Sequence, residues 1–101
     1  MMNKFDFLNA ICGKPVSVKI DGIDLEIRSL TVLETQQLQG KTEIDAALQM
    51  IVMGLVTPKL ETADIEMLKK ASPGFIMRLT KEISKLSGID TSEESPTVGN
   101  G

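Results

Sequence analysis

The residues of this chain that could do chemistry are few and scattered. It contains no histidine and no tyrosine, and its single cysteine is Cys12. The commonest general base and metal ligand is therefore missing. A lone Cys without His does not form the nucleophilic pair of a papain-like or caspase-like enzyme. Gly13-Lys14-Pro15 has a Gly-Lys pair but neither the upstream glycine nor the following Ser or Thr of a phosphate loop. Two carboxylate pairs occur, Glu61/Asp64 and Glu93/Glu94. The first sits at a helix start, where negative charge offsets the positive end of the helix dipole, and the second lies in a polar tail. The alternating Asp/Asn ligands of a calcium loop are absent. This inventory predicts a non-enzymatic protein with no catalytic residue, no cofactor and no metal.

The remaining charged feature is a row of cations, Arg78, Lys81 and Lys85, along one side of a predicted helix. It reads either as a solvated helix face or as an anion-binding patch. The net charge of −3 works against long-range attraction to nucleic acid or to anionic membrane surfaces. No partner for Cys12 exists within the chain, which fits a reducing compartment. No signal peptide is visible, and the longest apolar run, residues 50–56, is far short of the roughly 20 residues of a membrane-spanning helix. A cytoplasmic protein is expected.

These side chains must be positioned by a small body. The chain has 101 residues, 42% of them hydrophobic but only 3% aromatic, so Leu, Ile, Val and Met must fill its core. A single domain over residues 1–89 and a disordered tail over residues 90–101 are predicted; the tail segment is polar, aperiodic and carries Pro and Gly. A short first helix is predicted over Phe5–Cys12. The run PVSVKIDGIDLEIR then has two alternating segments around Asp21-Gly22, a pair suited to a two-residue turn with positive φ. Folding it there sets Ile20 against Ile23, Val18 against Leu25 and Val16 against Ile27 on one side. Lys19 opposes Asp24 and Ser17 opposes Glu26 on the other.

Four further helices follow from start and stop signals. Thr31 and Glu34 form a capping box for a short helix ending at Gly40. Thr42 caps a second that runs to about Val56 and is stopped by Pro58. A third starts at Thr62 or Asp64 and ends near Ala71. Ser72-Pro73 opens the last, with Ser as cap, and Ser87-Gly88 closes it. The expected fold class is α+β, mostly helical: an N-terminal β-hairpin packed on a bundle of about four short helices.

In the last helix, Phe75, Ile76, Leu79, Ile83 and Leu86 form the core stripe. The helix capped by Thr42 is apolar nearly all round. Ile44, Ala47, Leu48, Ile51, Val52 and Leu55 make one broad face, while Ala46, Met50 and Met53 fall on the other side with Gly54 beside them. Such a helix is either central or carries an interface. Flexible Met side chains fit both gap filling and adaptable binding surfaces. The site expectation is that Ala46, Met50, Met53 and Met77 form part of an exposed partner-binding surface.

In order, the hairpin VSVKIDGIDLEIRSLTVLE, the apolar helix ending GLVTPKL, the acidic ADIEMLKK and the closing SPGFIMRLTKEISKLSG resemble the phage tail assembly chaperones of long-tailed phages and prophages. The resemblance covers Val16–Gly88, and no single piece of it is diagnostic. It implies a protein that binds the tape measure protein and helps recruit tail tube subunits during virion tail morphogenesis. Its place would be the host cytoplasm during assembly, and it would be absent from the mature virion. The partners so implied are the tape measure and tail tube proteins, with a homo-oligomer also open, and neither nucleic acid nor membrane. A C-terminal extension made by ribosomal frameshifting is common in that family. Two other readings are a small DNA-binding regulator of a mobile element, resting on the Arg78/Lys81/Lys85 row, and a permanent tail or neck subunit.

Overall fold

The hairpin organises the molecule, and its register follows from the turn. In the computed structural model, which describes residues 2–89, Asp21 and Gly22 both take positive φ, 52° and 82°. The primed turn matches the twist of the strands β1 (Val16–Ile20) and β2 (Ile23–Ile27). The pairing is Val16–Ile27, Ser17–Glu26, Val18–Leu25, Lys19–Asp24 and Ile20–Ile23, the register expected from the apolar alternation. Ile20, Leu25 and Ile27 are buried, Val18 is half-buried, and Val16 and Ile23 at the hairpin margins stay exposed.

A third strand, β3 (Leu55–Thr57), pairs antiparallel with β2 and makes the sheet order β1-β2-β3. This corrects the expected helix boundary near Val56. The helix capped by Thr42, α3 (Glu43–Gly54), ends two residues sooner. There the Gly54 carbonyl accepts the Arg28 N–H at 2.9 Å, so the backbone leaves the helix ladder for the edge of β2. Leu55 still donates its own N–H to Ile51 and is buried as the first residue of the strand.

The other helices are α1 (Lys4–Ile11), α2 (Val32–Gln37), α4 (Ile65–Leu68, preceded by a 3₁₀ turn at Thr62–Asp64) and α5 (Pro73–Ser87). Their ends show the expected chemistry, with two exceptions. Thr31 accepts from the Glu34 N–H at 3.1 Å while the Glu34 carboxylate accepts from the Thr31 N–H at 2.9 Å, a reciprocal cap. Thr42 accepts from the Asp45 N–H at 3.2 Å. Gly88 ends α5 in the left-handed conformation, φ 73°. Ser72 occupies the cap position of α5, but its hydroxyl makes no capping bond. Asp64 occupies that of α4, but its carboxylate accepts from the preceding Glu61 N–H at 2.8 Å instead of capping α4.

The architecture is thus α+β and mostly helical, with an antiparallel sheet near the N-terminus. The core lies between the inner sheet face and the α3–α5 pair. Ile27, Ile51, Leu79 and Ile83 are its most completely buried large side chains, joined by Leu25, Leu30, Leu48 and Ile76. It is aliphatic as composition requires; Phe75 packs against it only half-buried. Two members of the expected stripes lie outside it, Ile44 in the first turn of α3 and Leu86 near the end of α5. The predicted tail, residues 90–101, lies outside the described residues.

Candidate functional site

Helix α3 decides where the expected surface residues go. Ala46, Met50 and Gly54 follow one another at four-residue spacing, so they share one side of the helix. That side faces α5. The Ser84 hydroxyl of α5 lies 3.4 Å from the Met50 sulfur, a buried contact. At Gly54 an added Cβ would sit 2.9 Å from Ile83 Cγ2. The missing side chain lets the two helices close on each other, and Met50 is sealed between them at 7% exposure. Met50 therefore cannot belong to an exposed surface, and that expectation is corrected. Helix α3 is central to the domain.

Ala46 and Met53 are half-buried, Met53 packed against the core cluster. Met77, on the outer side of α5, is 69% exposed. The four residues do not form one open patch: Met77 is fully available, two are partly available, and Met50 is closed off.

Other apolar side chains are left outside. Val32 and Leu33 project from α2, the former at 79% exposure, and Met67 projects from α4. Helix α2 holds its pair outward because its inner side is locked. Arg28 donates from Nη1 and Nη2 to both oxygens of Glu34 at 2.9 and 2.8 Å, and again to the Ser29 carbonyl at 2.9 Å. The charge-assisted bond from Arg28 holds the Glu34 carboxyl below the usual carboxylate range, opposed by partial burial and assisted by the Thr31 N–H. Glu34 in turn holds the Arg28 guanidinium above its ordinary value. Leu30, between them, is buried and donates its N–H to the Ser87 hydroxyl at 2.9 Å. Sequence pattern flagged the capping box, but not that its carboxylate also receives Arg28. The signal in the sequence is an arginine immediately after β2, six residues before the glutamate.

The cationic row of α5 is largely engaged within the chain. Arg78 reaches across to the hairpin turn, donating from Nε and Nη2 to the two oxygens of Asp21 at 3.0 and 2.7 Å. Asp21 raises the Arg78 pKa above its ordinary value, chiefly through these hydrogen bonds. The guanidinium passes over Gly74, where a Cβ would come within 3.2 Å of Nη1. Lys85 lies 3.7 Å from Glu82. Lys81 makes no ion pair among the described residues.

The outer face of the sheet carries a shallow depression lined by Ser17, Asp24, Leu25, Glu26 and Thr57. Its carboxylates are already used: the Thr57 hydroxyl donates to Glu26 at 2.7 Å, and Lys19 pairs with Asp24 at 3.0 Å. Among the described residues no group of three or more Cys, Asp or Glu is placed to hold a metal ion, and no helix is long and apolar enough to cross a membrane. Cys12 is exposed, its Sγ donating to the Leu8 carbonyl at 3.2 Å. Comparison with protein-family models, with curated proteins and with solved structures finds no match to this chain.

Proposed function

We propose that this chain is a phage tail assembly chaperone: a non-enzymatic protein that binds the tape measure protein and helps recruit tail tube subunits while the virion tail is built. It acts in the host cytoplasm and leaves before the particle is complete. The observation that carries this reading is the set of large apolar side chains held outward on a well-capped body: Val32 and Leu33 on α2, Met67 on α4 and Met77 on α5. Scattered exposed apolar residues are ordinary. Here, however, one helix projects two in succession while its other side is clamped by Arg28 and Glu34.

A chaperone for a long helical partner needs apolar contacts that are repeated, shallow and reversible. Helix-in-groove packing onto Leu, Val and Met side chains has that character, and thioethers adapt to differing partner sequences. The order of hairpin, apolar helix, acidic helix and closing Leu-Ser-Gly helix supports the same reading. The DNA-regulator alternative draws little from α5, where Arg78 and Lys85 already have carboxylate partners.

The test is to produce the tape measure protein of the same phage or prophage with and without this chain, and to follow its soluble fraction. The reading expects a protein that aggregates alone and stays soluble, bound to this chain, when both are made. A tape measure protein equally soluble in both cases, with no co-purifying chain, would overturn it.

A further inference from the structure

We infer that α1 is a self-association element, through which two copies of this chain join as a symmetric, antiparallel helix pair. Helix α1 is properly begun, with the Asn3 side chain accepting from the Asp6 N–H at 2.8 Å, yet none of its residues is buried. Phe5, Phe7, Leu8 and Ile11 are 70%, 52%, 48% and 63% exposed. At 100° per residue they fall with Cys12 within an arc of about 160°, while Asp6, Asn9 and Ala10 take the other side. A free helix of eight residues is marginal in water; this one has an apolar stripe that none of the other described residues buries. The segment that follows is held to the body, since a Cβ at Gly13 would lie 2.8 Å from Ser29 Cβ. The helix is projected from a fixed base.

Charge selects a second copy as the occupant. Lys4 places a cation in the first turn of α1, at the positive end of the helix, and no basic residue stands in the last turn. Within one chain Asp6, in the same first turn, offsets that cation. In an antiparallel pair the arrangement becomes complementary, because each Lys4 lies on the apolar side beside the negative end of the other helix, while Asp6 stays on the outer side. At that end Cys12 already satisfies the Leu8 and Asn9 carbonyls, but those of Ala10 and Ile11 are left to accept. The Lys4 ammonium already sits on the apolar side, 5.6 Å from the Phe5 ring centroid. Both halves of the contact are then on α1, as a two-fold interface requires. The four large side chains offer roughly 400 Å² per helix, or about 800–900 Å² for the pair, below the 1,200 Å² of stable interfaces. The dimer is therefore weak and concentration-dependent. It does not depend on the tail-assembly reading.

The geometry sets the test. Residues 7 and 8 straddle the two-fold axis, whereas the two Cys12 residues lie more than a helix length apart, ~13 Å along the axis. Sedimentation of the full chain over a wide concentration range should show its mass rising from one chain toward two. Phe5→Asp with Leu8→Asp should remain monomeric throughout with an unchanged melting temperature. Leu8→Cys, made with Cys12→Ser, should give a disulfide-linked dimer on mild oxidation, while the natural Cys12 gives none. A wild-type chain that is monomeric at every concentration would overturn the inference, as would a dimer that survives both aspartates. Cross-linking through Cys12 but not through residue 8 would overturn the antiparallel arrangement. A monomer whose aspartate variant loses only the tape measure protein would assign α1 to that partner instead.

Discussion

Substituting Gly54 by Ala measures how closely α3 and α5 approach. The new methyl would meet Ile83 Cγ2 at 2.9 Å, Ile83 Cδ1 at 3.1 Å and the Arg28 carbonyl at 3.4 Å. Ile83 cannot step aside easily. It is fully buried, and its branched Cβ holds one strongly preferred rotamer in a helix. Overpacking of this kind costs about 1–3 kcal/mol, offset by at most ~1 kcal/mol of gained helix propensity, which is smaller here because Gly54 is the last helical residue. The net expectation is a loss of about 1–2 kcal/mol. At about 4–8 °C per kcal/mol for a domain of this size, the melting temperature should fall by roughly 4–15 °C. Ile83→Ala alone should cost about 2–5 kcal/mol through the cavity it leaves. Because it removes both clashing methyls, the double variant should be more stable than the sum of the singles predicts, by about 1 kcal/mol. Thermal or urea unfolding of the three variants closes the cycle. A Gly54→Ala protein as stable as wild type, or strictly additive energies, would refute the close approach and with it the sealing of Met50.

Two further outcomes follow from the same geometry. Met50→Lys should cost several kcal/mol, since it buries an ammonium with no carboxylate partner, while Met77→Lys should shift stability by no more than about 0.5 kcal/mol; parallel melts of the two variants check this. Glu34 has a folded pKa below its unfolded value, so its contribution is present above the unfolded carboxylate pKa and is lost as pH falls through the folded one. Glu34→Gln should therefore cost about 1 kcal/mol at neutral pH and make unfolding less sensitive to acid below about pH 4, read from stability curves across that range.

Local chemistry made much of the fold legible. The hairpin register could be read because Asp21-Gly22 fixes the turn and each apolar residue then has one partner. Thr31, Glu34, Thr42 and Gly88 act within a single turn of their helices, so their roles were visible in their spacing. Strand β3 was not, because Leu55 to Thr57 is too short to alternate. It exists through a distant bond, Arg28 N–H to Gly54 carbonyl. Met50 was misplaced for a related reason. A helical wheel identifies one apolar side, but α3 is covered both by its core contacts and by α5, and only Gly54 hinted at the second neighbour. Of the expected surface residues Met77 lies fully outside, whereas the exposure of Val32 and Leu33 depends on which way Arg28 and Glu34 turn α2.

The most direct measurement of the central claim is sedimentation of the full chain co-produced with the tape measure protein that the proposed function assigns to it, at low and at high salt. Apolar docking persists when charge is screened, whereas phosphate-driven binding falls steeply with salt. The account predicts a complex at both salt concentrations and none with duplex DNA. Absence of a tape measure complex at either concentration, with DNA binding that disappears as salt rises, would contradict it and favour the regulator.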